Sequence, residues 1–150
     1  MAARGKKAAA AGEGRTPNTE RGEIALKLEG EMLVLRPTYE AIEAFEASTG
    51  KGMLQLAREA VTGTLRVAEM AQIAAECVRA WGRATENRSA QGVNATRIAE
   101  LILESDEGVH GAMRTIGAVL ALASTGGYTA KGEPKAGTTT SAVPAGDGAE

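Results

Sequence analysis

The sequence predicts an α+β fold, mostly α: an N-terminal β-hairpin packed on a bundle of about five short helices, with disordered tails. Three observations carry this. Apolar residues make up 43% of the 150-residue chain, yet only four are aromatic and alanine dominates, which suits small helices in close contact. A short period-two segment after residue 22 changes to a three-to-four-residue periodicity that continues to residue 126. Both ends are rich in Gly, Ala, Thr and charge and show no periodicity.

These observations divide the chain into an arm (1–21), a folded unit (22–127) and a tail (128–150). Neither end has the apolar content to offset the entropy of ordering, so both are expected to be disordered. The arm is mildly basic, with Arg4, Lys6, Lys7, Arg15 and Arg21 against Glu13 and Glu20 up to residue 22. No aromatic residue interleaves those cations for base stacking, so a solvated arm is preferred to a nucleic-acid contact.

The hairpin is read from "EIALKLEGEMLVLRP". Ile24, Leu26 and Leu28 alternate with polar or small residues, Glu29-Gly30 signals a turn, and Met32 to Arg36 returns before Pro37 stops the strand. A two-residue turn sets Leu26 opposite Leu33 and Ile24 opposite Leu35. A three-residue bulged loop would instead turn Met32 and Val34 inward. The run Met32, Leu33, Val34 and Leu35 is apolar on both faces, more than a surface hairpin needs. It is the candidate surface for a partner helix or for self-association.

Thr38 is the expected N-cap of a first helix carrying Tyr39, Ile42 and Phe45, and Gly50 ends it. Glu40, Glu43 and Glu46 are read as its solvated face. Met53, Leu54, Leu56, Ala57, Ala60 and Val61 form a second helix closed by Gly63. Val67, Met70, Ile73, Ala74, Cys77, Val78 and Trp81 trace the apolar stripe of a third. Gly82 to Gly92 reads as loop. Asn94 caps a fourth helix with Ile98, Leu101 and Ile102. Asp106 starts a fifth with Val109, Met113, Ile116 and Leu120, stopped by Gly126-Gly127.

Few function classes survive. "STGKG" resembles the end of a phosphate loop, but Phe45 occupies the leading glycine position and Gly52 the hydroxyl position. The stretch also joins two helices, whereas a phosphate loop follows a strand. His110 is the only histidine and reads as an ordinary surface or half-buried imidazole, and Cys77 and Trp81 fall on the third helix's packing stripe. The reading is therefore of a non-enzyme with no catalytic residue, cofactor or metal. A lone cysteine, no signal peptide and no membrane-length apolar run point to a cytoplasmic protein with no membrane partner. The net charge of −2 and the lack of a basic recognition helix argue against nucleic acid, leaving a small helical DNA-binding or regulatory module as a minor alternative.

The segment "RGEIALKLEGEMLVLRPTYEAIEAFEASTGKGMLQLA" resembles the tail-assembly-chaperone-like proteins of gene transfer agents and related tailed phages. The likeness begins at Arg21-Gly22-Glu23 and the hairpin with Gly30 at its turn. It passes through Leu35-Arg36-Pro37-Thr38, Ile42, Glu46 and Thr49-Gly50, and continues in Thr64 to Ile73 and the helix ending at Gly126-Gly127. The resemblance implies a chaperone that keeps the tape measure protein soluble while the tail tube forms, with the tape measure and the major tail (tube) protein as partners. It also leaves the alternative of a structural tail tube component. An apolar patch is expected on the hairpin or the first two helices.

Overall fold

A computed structural model describes residues 24–135. The expected disordered arm (1–21) and the tail beyond 135 lie outside the described residues.

Strands β1 (Ile24–Leu28) and β2 (Glu31–Leu35) pair antiparallel, with Ile24 opposite Leu35 and Leu26 opposite Leu33. Glu29 and Gly30 both have positive φ, 45° and 81°. That is the two-residue hairpin turn whose twist matches the flanking strands. The bulged alternative is thereby excluded.

Six helices follow: α1 (Tyr39–Thr49), α2 (Met53–Thr62), α3 (Val67–Thr85), α4 (Arg88–Gln91), α5 (Ala95–Glu104) and α6 (Gly108–Ser124). Local chemistry sets their ends as expected at several points. Thr38 Oγ1 accepts from the Ala41 amide at 3.0 Å, and Asn94 Oδ1 accepts from Thr96 and Arg97. Gly50 and Gly63 end α1 and α2 in the left-handed region. The start of α6 differs from expectation. It begins at Gly108, after a turn in which Ser105 Oγ accepts from the Gly108 amide, and not at Asp106.

Helix α3 is the centre of the molecule. It packs against α1, α4, α5, α6 and β2, while β1 lies on α6 and α2 on α6. Its burial is not a single stripe: Ala71, Ala75 and Ala80 are enclosed along with Met70, Ile73, Cys77, Val78 and Trp81. A helix surrounded by neighbours needs small side chains on several faces, which accounts for the alanine content. The expected loop at 82–92 is corrected on two counts. α3 runs on to Thr85, and residues 88–91 form the short α4, whose Ala90 is buried against Gly82. Glycine at 82, expected in the loop, lies inside α3 and makes room for that contact.

Residues 128–135, at the start of the expected tail, lie within the described residues. Tyr128 bridges Pro134, Ala130 O accepts from the Tyr39 amide at 2.7 Å, and Lys131 O accepts from Arg36 Nε at 3.0 Å. Gly132, at φ +78°, lies so close to Arg36 and Thr38 that a Cβ there would come within 2.8 Å of Arg36 Cγ.

Candidate functional site

The "STGKG" junction is a structural elbow. Gly50 donates its amide to Glu46 O, and Thr49 Oγ1 donates to Phe45 O at 2.7 Å. Gly52 offers α2 no side-chain cap, so Glu46 reaches across and accepts from the Met53 amide at 2.8 Å. Glu46 is thus no member of a merely solvated acidic face. Lys51 turns inward, its Nζ 2.9 Å from Glu59 and 2.7 Å from Glu69. One ammonium therefore ties the α1–α2 elbow to α2 and to the first turn of α3.

The electrostatics follow from that geometry. Hydrogen bonds to Glu69 and then Glu59 raise the Lys51 pKa, and the bond from Lys51 holds the Glu59 carboxyl below its ordinary value. Glu59's contribution is therefore present above its unfolded-state value and lost as pH falls through its lowered folded value. Lys51's is present below the ordinary lysine value and lost as pH rises through its raised value. Lys51→Met keeps the apolar stem and removes the charge. It is expected to lower the melting temperature near neutral pH by more than breaking the exposed Arg97–Glu100 pair does. The difference from wild type should shrink in acid. Thermal melts across pH test this; a difference unchanged into strong acid would refute the clamp.

No reactive constellation assembles around the residues considered. Cys77 is fully buried, and desolvation pushes its thiol up to about 12, so it packs and does not attack. His110 is exposed on the first turn of α6, and Trp81 is core. Among the described residues no group of His, Cys, Asp or Glu could hold a metal ion. Nor is any helix among them long and apolar enough to cross a membrane.

The four residues of the candidate partner strand do not share one environment. Leu33 and Leu35 face the core with Leu26, and Val34, on the opposite face, is fully buried as well. Only Met32, opposite the exposed Lys27, reaches solvent, and only in part. Burial of Val34 depends on helix packing that alternation cannot reveal. Exposed apolar side chains occur instead on the first two helices: Tyr39 on α1, and Leu54 and Val61 about two turns apart on α2. Leu103 on α5 is also exposed.

Met32 borders an open groove of about 590 Å³ between the hairpin and the α5–α6 junction. Leu26, Leu28 and Ala112 line its inner side. Its exposed rim carries Glu29, Glu31, Asp106 and Glu107, with Lys27 the cation among the lining residues and Arg114 bound to Glu107 at 3.0 Å. β1 has β2 on one side and no second strand on the other among the described residues.

Residues 21–126 match the family model described as phage tail tube protein, GTA-gp10. No curated protein and no solved structure matches the chain. The matched span starts at Arg21 and ends at Gly126, covering the hairpin and all six helices.

Proposed function

We propose a role from one premise: this chain belongs to the phage tail tube protein family GTA-gp10. The protein serves the building of a phage-type tail by binding other tail proteins, without catalysis. The observation that carries this reading is the family match over the whole hairpin–helix unit. The family's description favours a structural component of the tail over the chaperone role expected from the sequence.

The chaperone reading stays as a second proposal because of the architecture. A wall built by strand pairing between subunits needs open sheet edges on both sides. This sheet is one hairpin of five-residue strands, with β2 set against α3. Leu54 (60% exposed) and Val61 (82% exposed) place two apolar side chains on the outer face of α2, either side of the exposed Arg58, as anchors for a helical client such as the tape measure. In that case the protein acts in the host cytoplasm and leaves before the tail is complete.

Purified particles decide between the two. A tail component is expected at fixed stoichiometry with the major tail protein. A chaperone is expected to be missing from particles, and its deletion should leave the tape measure insoluble. Tails of normal number and length from a deletion strain would refute both.

A further inference from the structure

The groove beside the hairpin combines three features in one place. Its rim holds four carboxylates, of which Glu107 is paired with Arg114, and one lysine; its inner side is apolar, and it runs along β1 from Ala25 to Leu28. Such a groove suits an extended segment of small apolar residues preceded by cations. Among the residues outside the described fold, the chain contains one such segment: Lys6-Lys7 followed by the apolar run Ala8–Ala11.

We propose that the acidic groove is the docking site of the chain's own N-terminal arm, with Lys6 and Lys7 at the Glu29 and Asp106 rim and Ala8–Ala11 on the Leu26, Leu28 and Ala112 side. The charge balance supports it: residues 1–22 carry five cations against two acids, the opposite of the rim. Reach supports it too. The arm leads into β1 at Ile24, and the five-residue strand spans only about 17 Å to the turn at about 3.3 Å per residue. Residues 12–23 between the alanine run and β1 extend to about 40 Å. Gly12, Gly14, Pro17-Asn18 and Gly22 supply places for the reversal that a return along β1 requires. A short tether holds the arm at an effective concentration in the millimolar range, so a weak charge contact is enough to populate the docked state. The groove is lined by no residue of α2, so docking leaves the exposed Leu54 and Val61 open to a partner.

The test uses the full chain with Ala9→Cys carrying a nitroxide. Cys77 is buried with its thiol pushed up to about 12, so the label goes to the introduced cysteine. The amides of Lys27, Glu29 and Gly111 are expected to lose roughly half their intensity or more at low salt. They should recover as salt shortens the Debye length from about 10 Å at 0.1 M to about 3 Å at 1 M. Adding Lys6→Glu and Lys7→Glu to the labelled chain should abolish the broadening and leave the remaining spectrum in place. Three outcomes would overturn the proposal: no broadening at the groove, broadening that survives the charge reversal, or broadening centred elsewhere. A mixture of labelled chain with isotope-enriched unlabelled chain separates copies. Groove broadening confined to that mixture would mean a second copy's arm is the occupant, which also overturns the same-chain assignment.

Discussion

Val34→Asp is expected to destabilise the protein severely. Val34 is fully buried, and it lies on the face of β2 opposite Leu33 and Leu35, which are buried as well. An aspartate there is either charged without a partner in an apolar site or forced to take up a proton. It also leaves the space of the lost methyl groups imperfectly filled. Together these cost about 3–5 kcal/mol. A domain of this size has a total stability of about 5–15 kcal/mol, so the loss is from roughly a fifth of it to all of it. Met32→Gln is the control. Met32 is only half-buried and lies across from the exposed Lys27, so its loss should change the melting temperature little. Circular dichroism melts of the two variants check the pair; a Val34→Asp protein that melts like wild type would show that this face of β2 is open. The comparison bears on function as well. A partner that uses this strand meets Met32 and the turn, while polar substitutions at Leu33, Val34 or Leu35 report on folding and not on binding.

Gly82→Ala is expected to destabilise, against the direction that helix propensity suggests. Alanine is the better helix former by about 1 kcal/mol, and position 82 lies inside α3. Its added Cβ would stand 2.7 Å from the Gln91 amide nitrogen and 2.8 Å from Ala90 Cβ. Two of those neighbours' elements are backbone and a buried methyl, neither of which can swing away. α4 must therefore shift, straining the Asn87 amide to Gly82 O bond (2.8 Å) and the Gln91 Nε2 to Gly82 O bond (3.2 Å). Overpacking of this kind costs about 1–3 kcal/mol, which outweighs the propensity gain over most of that range. A lower melting temperature with faster amide exchange at Ala90 and Gly92 is the expected result. A raised melting temperature would show that α4 moves off α3 without cost.

The two positions show where sequence reasoning reaches its limit. Ile24, Leu26 and Leu28 alternate, Glu29-Gly30 suits a two-residue turn, and Thr38, Gly50, Gly63 and Asn94 mark helix ends. Each of these signals acts within about four residues, so one line of text contains both the cause and its effect. The family resemblance was legible for the same reason, since its marks are turns, caps and periodicities in order.

The remainder depended on groups far apart in the chain. Lys51 meets Glu69 across an intervening helix, and Arg36 meets Glu133 at a sequence separation of 97 residues. Gly82 is read as the start of a loop and is instead a residue of α3 and the floor for Ala90. Val34 is buried because the helices enclose the second face of a strand whose apolar run leaves open whether that face meets the core or a partner. Local pattern determined which elements form and where they end. Which faces were covered, which charges met and where the groove opened were decided only when those elements packed, because burial and ion pairing depend on distance in space and periodicity records distance along the chain.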